Sequence, residues 1–206
     1  LEAIVDEIWR RIEHWLSRNA RPVSKSLRPG ASGGDIAAAE KALGRPLPDD
    51  FLASLSRHDG QQPDPNRGGS PGFVYGLYLF PITRAVQRHQ VLDRLLEQGV
   101  GRNAKVLTDG PVRAVWWDRA WLPVADDGMS NFQCLDLHPA PRGRVGQVIQ
   151  CRAQNPWRSV EAKSFRAWLS DFADGLTSGG YVYSREHDGL ITRDDAIAAG
   201  VIPRPH

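Results

Sequence analysis

The polar side chains best suited to chemistry are gathered in Trp121-Leu-Pro-Val-Ala-Asp-Asp-Gly-Met-Ser-Asn-Phe-Gln-Cys-Leu-Asp136. Asp126 or Asp127 paired with Asp136 supplies the residue types of a two-carboxylate hydrolase, provided the fold sets both acids across one cleft. Asp126 to Asn131 is rich in oxygen, but it lacks the alternating carboxylates and distal glutamate of a calcium loop. Aspartates beside a glycine ordinarily cap turns. Gly68-Gly-Ser-Pro-Gly72 spells a nucleophile elbow, G-x-S-x-G. The elbow fails physically, because its oxyanion hole needs the backbone N–H of the residue after serine and Pro71 has none. Gly99-Val-Gly-Arg-Asn-Ala104 matches a dinucleotide fingerprint, yet it follows an expected helix instead of a strand. Cys134 with His138 offers two ligands, short of the four a structural zinc takes. The residues therefore specify no catalytic group, no metal and no cofactor.

The elements that must position these groups are legible from periodicity and punctuation. Ile4, Ile8, Ile12 and Trp15 recur at helical spacing, widened by Val5, Trp9 and Leu16, and predict a helix over 3–17. Ser32-Gly-Gly-Asp35 resembles a capping box for a helix ending at Gly44. Pro48, Asp49 and Asp50 suit the start of a short third helix, which Asp59-Gly60 ends. The glycine- and proline-rich stretch 61–72 reads as a long loop. A strand over Phe73–Phe80 and a helix over Arg84–Gln98 follow. Val112–Trp117, Trp121–Ala125, Phe132–Leu137 and Gly146–Cys151 read as four short strands of an antiparallel meander. Within the first, Trp116 and Trp117 must point to opposite faces. Ser164 caps a helix whose stripe is Phe165, Trp168, Leu169, Phe172 and Leu176, and Thr192-Arg-Asp-Asp195 precedes one more short helix. The fold class is α+β: a single domain with a mainly antiparallel sheet packed against N-terminal and C-terminal helices.

Composition narrows the partners. Of 206 residues, 41% are hydrophobic and 24% charged, ordinary for a water-soluble globular chain with a real core. No apolar run approaches a membrane span, and Glu2, Asp6, Glu7, Arg10 and Arg11 interrupt any signal-peptide core in residues 1–16. The net charge is only +2, and the basic residues, 22 Arg and 4 Lys, are scattered, without the dense stripe that nucleic-acid binding needs. The two cysteines, Cys134 and Cys151, fall in expected strands, where they read as small buried hydrophobes. A reduced, cytoplasmic protein with no nucleic-acid or membrane partner is expected.

Several short pieces, in order, resemble the SUKH superfamily. They are Leu27-Arg-Pro-Gly-Ala-Ser32 with Ile36 and Glu40, Leu47-Pro-Asp-Asp-Phe51, His58-Asp-Gly-Gln61, Trp121-Leu-Pro-Val-Ala125, Asp127-Gly128, Asn131, Leu135-Asp-Leu137 with Pro139, and Gly143 to Ile149. The resemblance covers residues 1–178, leaving 179–206 as a C-terminal extension with a short helix. It implies an α+β fold, no catalytic activity and no shared catalytic residues. The expectation drawn from it is a bacterial immunity protein that binds a cognate protein toxin. The alternative is a regulatory scaffold like the fungal cell-wall-assembly regulators. The slightly basic chain, pI ≈ 8.7, disfavours a strongly basic nuclease as the toxin. The partner-binding surface is expected to combine the 61–72 loop with the Asp126–Asn131 turn and a partly exposed Trp121. Asp59, Gln61, Asp127, Asn131 and Asp136 are its matched polar positions, and a hydrolase using Asp126, Asp127 and Asp136 is the weakest option.

Overall fold

The computed structural model describes residues 1–63, 70–129, 131–152 and 156–203. Helix α1 (Glu2–Asn19) buries Val5, Ile8, Trp9, Ile12 and Leu16 in one stripe, as the spacing requires. A short α2 (Arg21–Ser26) follows where a loop was expected; Pro22 lies in its first turn, where no backbone N–H is needed. In α3 (Gly33–Leu43) the Ser32 Oγ accepts the Asp35 N–H at 3.1 Å, and Gly44 ends the helix with φ +65°. Next come α4 (Asp49–Arg57), a 3-10 turn at Val74–Gly76, α5 (Ile82–Glu97) and α6 (Phe165–Thr177), capped by Ser164 as anticipated.

Six strands form one sheet. They are β1 (Tyr78–Leu79), β2 (Leu107–Asp109), β3 (Trp121–Asp126), β4 (Asn131–Asp136), β5 (Gln147–Arg152) and β6 (Trp157–Ala162), in the order β1-β3-β4-β5-β6-β2. The run β3 to β6 is the antiparallel meander, but β2 joins β6 in parallel, so the sheet is mixed. Two expected strands are corrected. Only Tyr78–Leu79 of Phe73–Phe80 is extended, because Tyr75 and Gly76 turn the chain with positive φ. Val112–Trp117 is irregular: its amides close local turns, Val112 to Gly110 and Val115 to Arg113.

Apolar packing covers both faces of the sheet, which is why β3 is buried along its whole length. On one face Leu122, Val124, Leu135 and Val148 meet Trp9, Phe73, Phe165, Trp168 and Phe172 from the helices and the turn segment. On the other face Trp117, Trp121, Phe132, Ile149 and both free cysteines meet Leu92 of α5. Each fully buried side chain of this size contributes roughly 1.5–3 kcal/mol. The tail adds a hairpin, β7 (Tyr181–Ser184) with β8 (Gly189–Thr192), before the expected short helix α7 (Arg193–Ala198). Gly189 lies so close to Gly72 that an added Cβ would sit 2.6 Å from the Gly72 nitrogen, and Leu190 N–H donates to Gly72 O at 3.0 Å. Among the described residues no helix is long and apolar enough to cross a membrane.

Candidate functional site

The polar positions expected at the surface are mostly interior. Gln61, 2% exposed, donates from Nε2 to Ser26 Oγ (2.8 Å) and Pro71 O (2.9 Å) and accepts the Leu79 N–H at Oε1 (2.8 Å). Asp59 accepts the Ile82 N–H at 2.7 Å, capping α5 from outside the helix, and lies 3.5 Å from Arg28 Nε. Asp136 is wholly buried and accepts from His138 N–H and Gln147 Nε2; burial raises its pKa against those hydrogen bonds. Trp121 is 0% exposed, packed edge-on against Trp117, so the expectation of a partly exposed tryptophan is corrected. The cause is α5, which covers that face of the sheet. Residues 64–69 of the expected contact loop lie outside the described residues. The hydrolase pairing also fails on register. Asp136 sits opposite Trp121, five residues along β3 from Asp126, a separation of roughly 16 Å.

The Asp126–Asn131 turn does keep its groups together. Asp126 Oδ1 accepts the Gly128 N–H at 2.8 Å, while its Oδ2 lies 3.6 Å from Arg88, whose guanidinium stacks over Phe132. Burial raises the Asp126 pKa, partly offset by the Gly128 N–H and Arg88. Asp127 accepts the N–H groups of Met129 (2.7 Å) and Asn131 (3.1 Å) and, at Oδ2, the Asn131 amide (2.5 Å). Burial works to raise its pKa, but these hydrogen bonds outweigh it and the pKa is lowered.

Asp127 and Asn131 line a cleft of about 520 Å³ together with Gln133, Gln150, Glu161, Tyr75, Leu77 and Trp168. Register explains how the carboxylates reach it. On β3 the pairing jumps from Pro123–Cys134 to Ala125–Gln133, so Val124 is an extra residue in a bulge. Pro123 is tolerated inside the sheet at this bulge, where the ladder is already broken. Strict alternation would put Asp127 on the face of Trp121; one extra residue turns it to the opposite face. On β6 the pairing jumps from Ala162–Val148 to Val160–Ile149, leaving Glu161 as the bulged residue. Gln133 and Gln150 are a cross-strand pair on the face that elsewhere carries Leu135 and Val148.

Two features of the cleft are energetically unfavourable as they stand. Gln133 is 5% exposed and its Oε1 has no hydrogen-bond partner, a cost of about 1–3 kcal/mol. Tyr75 adopts φ +54°, ψ +31°, the left-handed region, which costs a bulky residue roughly 1–2 kcal/mol. That conformation lays its ring beside Trp168 (5.9 Å), Phe172 (5.7 Å) and Tyr181 (6.0 Å), yet leaves it 41% exposed. Burial first, then the carboxylates of Asp171 and Glu161, push its hydroxyl up to about 12. Sequence reading reached Asp127 and Asn131 and missed the other lining residues. The available signal was Gln133 itself, a polar residue where the period of β4 calls for an apolar one. Among the described residues no group of three His, Cys, Asp or Glu side chains is placed to hold a metal.

The sequence pattern of the SMI1 / KNR4 family (SUKH-1) matches residues 30–171. The chain belongs to that family. Among curated relatives it is similar to the cell wall biosynthesis/cell cycle regulator smi1 of Schizosaccharomyces pombe, 29% identical over 199 residues, which span 90% of this chain and 39% of that protein. It is likewise similar to the cell wall assembly regulator SMI1 of Saccharomyces cerevisiae, at 24% identity over 92% of this chain and 44% of that protein. The glucan synthesis regulatory protein of Neurospora crassa matches at 26% over 90% of this chain and 41% of that protein. This chain thus spans about two fifths of the length of these relatives. They are fungal proteins named as regulators, not enzymes. That overturns the expectation of a bacterial toxin-immunity protein and favours the regulatory alternative.

Proposed function

We propose that this chain is a non-catalytic interaction module of a cell-wall regulator, which works by binding a protein partner. One observation carries the reading: regulators of cell-wall assembly and glucan synthesis align with about nine-tenths of the chain. The geometry supports it. The carboxylates lining the cleft are Asp127 and Glu161, and Asp127 is occupied by three hydrogen bonds within its own turn, so the pair is ill suited to acid–base hydrolysis. Scattered basic residues favour protein over nucleic acid as the partner.

The test is a chimera. The matching segment of the Schizosaccharomyces pombe regulator is replaced by this chain in cells lacking that regulator, and lysis by a glucan-degrading enzyme is measured. Restored resistance is the expected result. A stably expressed chimera as sensitive as the deletion would sink the proposal.

A further inference from the structure

We propose that the cleft between α6, the Val74–Gly76 turn and the bulged end of the sheet binds the guanidinium group of an arginine on a partner's peptide segment. This assignment rests on the reading of the chain as an interaction module and names the chemistry of what the module takes.

Three independent features point to a ligand that donates hydrogen bonds and carries positive charge. Gln133 lines the cleft, is 5% exposed and has an Oε1 with no partner, an acceptor desolvated in advance. The β3 bulge turns Asp127 to the cleft, Glu161 reaches it two residues beyond the Ser159 that pairs with Gln150, and neither carboxylate forms an ion pair with a described residue. Glu161 takes one hydrogen bond, from Ser159 Oγ at 2.8 Å, and is otherwise open to a donor. Tyr75 holds a strained backbone that leaves its ring 41% exposed over a wall of Trp168, Phe172 and Tyr181. An aromatic face beside carboxylates attracts a cation, and strained backbone concentrates where ligands are clamped.

The acceptors select the cation. A guanidinium offers five N–H donors in a planar fork, stacks on an aromatic face and is the more weakly hydrated of the two basic side chains. It can engage the Glu161 carboxylate, the Gln133 and Gln150 amide oxygens and the Tyr75 ring together. A lysine ammonium brings three donors on one atom and no plane to stack. At about 520 Å³ the open cleft exceeds a guanidinium alone, so it accommodates the side chain with part of the backbone that carries it.

The probe is the capped tripeptide acetyl-Gly-Arg-Gly-amide, with its citrulline counterpart, which keeps the shape and loses the charge. The chain, labelled with nitrogen-15, is titrated with each while side-chain amide signals are followed by NMR. The expected result is a saturable shift of the Gln133 and Gln150 amides with the arginine peptide. Binding should weaken at least tenfold, about 1.4 kcal/mol, for the citrulline peptide and for Glu161→Gln, an exposed substitution whose folding the same spectra verify. Equal affinity for the two peptides, or shifts that leave Gln133 and Gln150 unmoved, overturns the assignment. If the titration fails while the chimera restores wall resistance, the cleft assignment falls and the interaction reading stands. If the amides shift but the chimera fails, the cleft assignment stands and the regulator reading falls.

Discussion

Gln61 and Gln133 are 2% and 5% exposed, yet Gln61 makes three side-chain hydrogen bonds while the Oε1 of Gln133 has no partner. The first ties α2, the segment before Phe73 and β1 into one unit, and lies among the residues that resemble the family. The second sits where β4 would otherwise continue its apolar face. Burial therefore does not mark a polar group as structural or functional; its hydrogen-bond account does. The chain satisfies the groups that hold its loops and leaves a buried acceptor unsatisfied on a residue that lines a cleft.

The contrast is most severely tested by Gln61→Leu. It strands the Leu79 N–H and the Pro71 carbonyl, so urea unfolding should show a loss of about 2–4 kcal/mol. A loss under about 1 kcal/mol would mean that Gln61 is not the lock described. Asp59→Ala should cost about 1–2 kcal/mol by uncapping α5, again read from the urea midpoint. If its midpoint matches that of the unaltered chain, the cap is not functioning as described.

A pH series sharpens the same comparison from the structural side. The Arg57 hydrogen bond lowers the Glu13 pKa; burial opposes it, and His58 adds to the lowering. A carboxyl depressed by folding contributes stability above its unfolded pKa and loses it as the pH falls through its folded value. Stability should therefore decline in acid, below about pH 4, and Glu13→Gln should flatten part of that decline. An unchanged acid limb in the variant would remove Glu13 from the account. Asp126 and Asp136 have raised pKa values and the opposite sign, their contributions being lost as the pH rises. The smallest expected effect is that of Glu161→Gln, within about 0.5 kcal/mol of the parent because Glu161 is exposed and makes no described ion pair. A larger loss would show that the bulged carboxylate holds the sheet together.

Elements with a strong period and a cap were legible in the sequence. Trp9, Ile12 and Leu16 announce α1, while Ser32 and Ser164 mark the starts of α3 and α6. β6 was not legible, because its pattern is inverted: Trp157 is 51% exposed while Arg158 is buried, its guanidinium donating to the carbonyls of Trp157 and Trp116. The consecutive tryptophans suggested a strand, yet Gly101 leaves just enough room for Trp116 to pack irregularly; an added Cβ there would sit 2.2 Å from its Cγ. The cleft was half visible. Asp127 and Asn131 stand out as turn residues, but Glu161 lies on β6, whose inverted pattern hides the strand, and Tyr75 depends on a left-handed turn that leaves no periodic trace. The burial of Trp121 depends on where α5 docks, a tertiary fact.

The central claim is that Gln133 is kept for a ligand and not for the fold. Gln133→Leu tests it in one variant, by urea unfolding alongside titration with the arginine tripeptide. The account predicts unchanged or higher stability, since an orphaned polar atom is replaced by an apolar one, together with at least tenfold weaker binding. A variant that loses more than about 1 kcal/mol of stability and binds the peptide as before would contradict it.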